Sequence, residues 1–384
     1  MLAVYAVTRA WSAVVFLLAA RGQPETYWGP AQPDYATFVG LFWDGSWYRW
    51  IAEYGYPAEL PVDAAGAVQQ NAWAFFPAYP ILVRGLMLVT GAPWVGLAPA
   101  ASLALGAGAM LVLDRLVQRE VEIRGARLGR SLALGTVLLV GLHPAAPVLQ
   151  AAYTESLALF LVVLALWLLV QRRYGWAIPV VVALGFTRAV ALPMAVVVLV
   201  HLGMRWRDVR AGREALRRGD AARLMSLAAA ALAAAIAWPL AVAVATSRAD
   251  GYVQVQSAWR GTFSSAPVVP WFEMASYLVG DAGWLVLVLV VAAVMGLALS
   301  RHAGAAGPEV KTWGVAYLAY LLLVAFPQSS VVRFLLLAFP LALAVAAIAR
   351  VWWRTAAIAV LLAAAQLGWV LWLWQLTEPT GWPP

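Results

Sequence analysis

Cysteine is absent from the 384 residues, which excludes disulfide bonds, zinc–thiolate sites and thiol catalysis. Histidine is scarce: His143, His201 and His302 are the only three, and their wide separation matches no metal-ligand spacing. Charge is sparse as well. Asp, Glu, Lys and Arg together make 11% of the chain against 64% hydrophobic residues, and the mean hydropathy of +0.80 lies outside the range of soluble globular proteins. The chain consists instead of apolar runs of about 18 residues or more, each able to cross a hydrocarbon core as a helix. The expectation is an all-α polytopic membrane protein, one integral-membrane domain over residues 1–384. The formal charge of +8 does not point to nucleic acid, because the basic residues sit in short loops between apolar runs and report topology.

Three arginine groups read as cytoplasmic anchors: Arg115, Arg119, Arg124, Arg127 and Arg130; Arg172 and Arg173; and the seven arginines from Arg205 to Arg223. Residues 4–20 lack a small-residue cleavage site before Arg21 and read as a first span rather than a signal peptide. A long external loop, residues 21–93, then carries FWDGSWYRWIAEYGY at 42–56 and an apolar segment, 74–89, read as a helix in the outer interface. Ten further spans are expected at 95–113, 131–149, 154–170, 176–187, 189–203, 225–246, 283–300, 313–326, 334–349 and 356–374, about eleven in all, with a second external loop at 247–281. Because Arg173 and Arg205 both read as cytoplasmic, the chain between them must cross twice, with Arg188 at the external apex. Helices that short imply a thinned or water-filled region.

This topology gathers Asp44, Arg49, Glu53, Arg84, Glu155, Arg188, Arg260 and Arg333 on the external side. Charges beside a membrane are costly and face a cavity or a partner, so an outward polar cleft is expected. Asp44 has two readings that spacing leaves open. It can be the N-cap of a helix stopped by Gly55, or a catalytic carboxylate on the stripe it shares with Tyr48 and Ile51. Arg188 and Arg333 either snorkel to headgroups or clamp a phosphate, which suits the guanidinium fork. Glu155 either complements a helix dipole or orients a sugar hydroxyl. Gln254, Gln256, Trp259 and Arg260 offer groups that suit a sugar and are also ordinary in an interfacial loop. Trp43 and Tyr48, beside Asp44, complete the substrate-binding candidates, and Arg49 with Glu53 reads as a surface pair.

Six segments in order, FWDGSWYRWIAEYGY (42–56), AFFPAYPILVRGL (74–86), HPAAPVLQAAYTES (143–156), GFTRAVAL (185–192), VQVQSAWR (253–260) and SSVVRFLLLAFPL (329–341), resemble the bacterial relatives of the PIG-V mannosyltransferases, of the GT-C class of membrane glycosyltransferases. The resemblance implies an inverting transfer from a polyprenyl-phosphate sugar, usually mannose, at the external face of a bacterial plasma membrane. It puts the family's first-loop aspartate on Asp44 and its two arginines on Arg188 and Arg333. No cofactor is implied, and no divalent metal is required. The implied partners are the lipid-linked donor, a glycolipid, glycan or protein acceptor, and membrane lipids. The alternative is a lipid or glycolipid transporter or flippase, which should show repeat symmetry that the sequence lacks.

Overall fold

The computed structural model describes residues 1–27, 29–123, 129–215, 217–260, 266–349, 351–377 and 383–384. Arg124, Arg127 and Arg350, residues 261–265 of the second external loop and residues 378–382 of the tail lie outside the described residues. In chain order the α-helices are α1 (Leu2–Arg21), α2 (Tyr35–Gly40), α3 (Asp44–Tyr54), α4 (Ala78–Thr90), α5 (Trp94–Ile123) and α6 (Gly129–Gly141). Then come α7 (Glu155–Val170), α8 (Tyr174–Gly185), α9 (Ala191–Arg210), α10 (Arg218–Thr246), α11 (Gly251–Arg260) and α12 (Val269–Val279). The chain closes with α13 (Gly283–Leu299), α14 (Pro308–Val324), α15 (Val331–Phe334), α16 (Pro340–Ile348) and α17 (Trp352–Trp369). A chain this apolar has little water in which to satisfy its amides, and helices satisfy them within each segment.

The protein is an all-α polytopic membrane protein. A helix stands at each of the eleven positions. Among the described residues, however, only five segments are long and apolar enough to cross alone: α1, α5, α10, Val269–Ala306 and Trp352–Trp374. A sixth results if α15 and α16, bent by 74°, count as one broken span. Charge sets α9 apart, since its 20 residues include Arg205, Arg207, Asp208 and Arg210, and length sets the others apart. Helices α6, α7, α8 and α14 have 13, 16, 12 and 17 residues, short of the roughly 20 that a full bilayer needs. Thr154 just before α7, Gly185 at the end of α8 and Tyr320, Leu321 and Val324 towards the end of α14 line one cavity, where non-helical backbone is tolerated at membrane depth.

Helix α7 is the hub, packed between α5 and α8. Twelve of its sixteen residues are buried, as expected of a helix apolar all round. The equally apolar α13 buries only Gly283 and Ala298, so its faces are left to lipid. Helices α8 and α10 approach closely because Gly185 has no side chain: a Cβ there would stand 2.5 Å from the carbonyl oxygen of Ala234, the small-residue contact typical of membrane helices. At the basic end of the bundle Arg172 and Arg205 both pair with Glu214, so two of the three arginine groups do share one side.

Arg9, buried in the middle of α1, had no role in the sequence reading. Its guanidinium donates to the carbonyl oxygens of Gly141, at 2.6 Å, and Ala146, and lies 5.4 Å from the centre of the Tyr5 ring. It thereby satisfies carbonyls freed where α6 ends and pins the segment leading to Tyr153 and Glu155.

Candidate active site

Local backbone geometry brings Asp44 to the site. Trp43 precedes α3 with φ 55°, a left-handed conformation rare for a bulky residue. The Trp43 indole donates to the carbonyl oxygen of Trp374 at 2.8 Å, and the Asp44 amide donates to the Tyr153 hydroxyl at 3.2 Å. Gly45 then lets α3 press on α2, since a Cβ there would stand 2.8 Å from the Gly40 carbonyl oxygen. No side chain caps α3. The Asp44 carboxylate instead accepts from Arg333 Nη1 at 2.6 Å, which removes the capping reading.

Four charges alternate in sign from this point. Arg333 also places Nε 3.2 Å from Glu155 Oε1, an ion pair without hydrogen-bond geometry. Glu155 Oε1 accepts from Arg188 Nη1 at 2.6 Å, and Arg188 Nη1 also donates to Thr154 Oγ1 at 3.2 Å. Glu155 is fully buried and Asp44 has 22% of its side chain exposed, so the first carboxylate holds the arginines while the second faces the cavity. Rings brace both cations: Arg333 lies 4.8 Å from the Tyr153 ring centre and Arg188 4.5 Å from that of Phe334. The Tyr48 hydroxyl, 3.4 Å from Thr154 Oγ1, is kept neutral. Burial, then the negative charges of Asp44 and Glu155, raise its pKa above the ordinary phenol value.

These groups border a cavity of about 470 Å³. Asp44, Arg188, Arg260 and Arg333 form its charged wall, and Tyr48, Gln256 and Trp259 stand beside them. Beyond, it runs between Val190, Leu192, Ala234, Pro239, Leu321 and Val324, of which Leu192 and Val324 are exposed on the apolar flank. Seven of the nine proposed site residues therefore line one cavity. Glu155 does not line it; it bridges the arginines from behind. Trp43 is also outside the lining, its indole committed to Trp374. Arg49 pairs with Glu53 at 2.8 Å on the surface, and Arg84 donates to the Ala52 carbonyl oxygen at 3.0 Å, so these three charges do not join the cleft.

No protein-family model and no curated protein matches the sequence. Among solved structures the chain is similar to the Archaeoglobus fulgidus oligosaccharyltransferase in complex with zinc and sulfate, at 14% identity and TM-score 0.46, over 95% of this chain and 53% of that one. It is also similar to the same enzyme tethered through a disulfide bond to an acceptor peptide containing the NVT sequon, at 13% identity and TM-score 0.44, over 96% and 54%. The chain thus spans about half the length of these structures.

Sequence reasoning missed Tyr153, Thr154 and Phe334, although each lies within two residues of a charged residue it named. Adjacency was the available signal: a cation held in a low-dielectric site needs aromatic faces and hydroxyls close by. Chemically, three guanidiniums (Arg188, Arg260, Arg333) against two carboxylates (Asp44, Glu155) leave one positive charge, matched to a singly charged anion such as a phosphodiester.

Proposed function

We propose that the chain is a GT-C-type membrane glycosyltransferase that moves a sugar, most simply mannose, from a polyprenyl-phosphate donor to an acceptor hydroxyl at the external membrane face. The observation that carries this reading is the Asp44–Arg333 pair, set in a cavity that joins a positively charged wall to an apolar flank. A lipid-linked phosphate needs both surfaces at once. Asp44 and Arg333 form the working pair, Arg188 the second phosphate contact, and Tyr48, Gln256, Trp259 and Arg260 the walls around the sugar.

In the proposed step the donor phosphate competes with Asp44 for Arg333, and the guanidinium passes from carboxylate to phosphate. The released carboxylate takes the proton of the acceptor hydroxyl. The acceptor oxygen forms a bond to the anomeric carbon from the face opposite the phosphate, and the carbon–oxygen bond to phosphate breaks with its electron pair going to the leaving group. One displacement inverts the anomeric configuration. Arg188 and Arg333 stabilise the charge growing on the phosphate, worth about 3 kcal/mol for a preorganised donor, while general-base help contributes roughly 10²- to 10⁴-fold. Since guanidiniums supply the countercharge, a chelator such as EDTA should leave turnover unchanged.

The test is sugar transfer from synthetic polyprenyl-phosphate mannose by the purified wild type and Asp44→Asn. Asparagine is nearly isosteric and cannot take the proton, so transfer should fall by about 10² or more with the protein still folded. Equal turnover in both proteins would remove Asp44 from the chemistry.

A further inference from the structure

A second concavity, of about 300 Å³, lies along α3 beside the first and is lined by residues that include Trp47, Trp50, Tyr54, Tyr56, Gln70 and Asn71. Its volume is at the lower end of small-ligand sites, and none of its lining side chains is charged. The helix repeat explains how it forms. Trp47, Trp50 and Tyr54 fall within roughly 60° of one another on α3, centred about 90° round the helix from the stripe that Asp44 shares with Tyr48 and Ile51. Tyr48 and Ile51 are buried, whereas Trp50 and Tyr54 are 54% and 69% exposed, with ring centres 4.6 Å apart and planes inclined at 47°. Gly55, at φ 82°, stops the helix there and turns the chain beneath the rings.

Trp47 is shared with the active site. It stacks on Phe75 at 5.5 Å and meets Trp259 edge-on at 5.5 Å, and Phe75 and Trp259 line the larger cavity. One aromatic wall therefore has the candidate base on one side and two open ring faces on the other. The amides at the rim differ in freedom. Asn71 is committed, donating to the Gln69 carbonyl oxygen and accepting from the Trp73 amide, while Gln70 holds only a 3.5 Å contact to the Ala258 carbonyl oxygen and can exchange it for a ligand hydroxyl.

We infer that this concavity is an acceptor-side subsite for a neutral saccharide unit, holding the sugar next to the one whose hydroxyl is presented to Asp44. Pyranoses offer C–H faces to the electron-rich faces of aromatic rings and hydroxyls to amides, and an uncharged, ring-lined site with an exchangeable amide fits that chemistry. A charged lipid headgroup would want a cation in the lining, and this lining has none. The inference rests on the transferase reading for its purpose, but not for its measurement.

The experiment is binding read by saturation-transfer NMR on the full chain in nanodiscs, without donor, using α-linked mannobiose, mannotriose, N,N′-diacetylchitobiose and a neutral hexapeptide. The wild type and Asp44→Asn should bind one or more of the saccharides and not the peptide. Trp50→Ala and Tyr54→Leu should each weaken that binding by about tenfold, and Trp50→Phe, which keeps a ring, by less. Leucine serves as well as tyrosine in an apolar belt, so undiminished binding by Tyr54→Leu and Trp50→Ala would reassign both rings to membrane anchoring and overturn the inference. Binding of the peptide in place of sugars, or of no saccharide by the wild type, would overturn it as well. A protein that binds saccharides but never turns over the donor refutes the transferase reading alone; turnover without saccharide binding refutes the subsite alone.

Discussion

Arg333 holds two carboxylates from distant parts of the chain, Asp44 at 2.6 Å and Glu155 at 3.2 Å, and its planar fork is what makes this possible. A lysine could serve one carboxylate or the phosphate, but not in this spread geometry. Arg333→Lys is therefore expected to fold, to keep the positive charge, and to lower donor turnover by about 10²-fold, the cost of one preorganised donor. Arg333→Met leaves a fully buried glutamate facing a single arginine, and breaking a buried pair costs about 3–5 kcal/mol. Thermal unfolding in detergent should separate the two: near wild type for lysine, markedly lower for methionine. Equal loss of stability in both would make Arg333 a structural tie and no more.

At the scale of the element, the close approach of α8 and α10 at Gly185 sets the wall beside Arg188. Gly185→Ala puts a methyl against the backbone of Ala234, which must move, and overpacking of this kind costs about 1–3 kcal/mol. Because Gly185 also lines the larger cavity, the donor KM should rise along with the fall in melting temperature. At the opposite end, Glu214 has its pKa lowered by its hydrogen bond to Arg205 and by Arg172. A carboxyl depressed in the folded state stabilises above its unfolded value and loses that contribution as pH falls through the folded one. The wild type should therefore lose melting temperature relative to Glu214→Gln as pH drops below about 4, by an amount within the 0–1 kcal/mol of exposed pairs. The positions of the helices were legible because long apolar runs and arginine parity are local or nearly local signals. Parity alone located the two helices flanking Arg188, of which α8 is short, at 12 residues, while α9 runs to 20 and past the expected end at 203. Asp44 was legible as an anomaly but not as an ion pair, since its partner lies 289 residues away, and Trp43 was assigned to substrate because its true partner, Trp374, is 331 residues distant. Arg9 went unread for the same reason, its acceptors lying on α6 and the turn after it.

For the whole molecule, the decisive feature is that one cavity meets both a charged wall and the flank where Leu192 and Val324 are exposed. The donor lipid should lie along that flank, and the protein should then read part of its length. Each methylene moved from water onto apolar surface contributes about 0.8 kcal/mol, so an isoprene unit seated against α9 and α14 should raise kcat/KM severalfold even after losses in chain entropy. Once the chain passes beyond the protein, further units meet only detergent or lipid and add nothing. A series of mannosyl phosphates carrying no prenyl chain, then progressively longer ones, assayed with the purified protein at detergent concentrations that keep the short members soluble, should show kcat/KM climbing and then reaching a plateau. Leu192→Asp, placed on the flank and away from the arginines, should flatten the climb and leave the unprenylated compound where it was. A profile flat from the start would mean that the apolar flank faces lipid for packing alone, and that the phosphate reaches Arg333 by the polar side of the cavity.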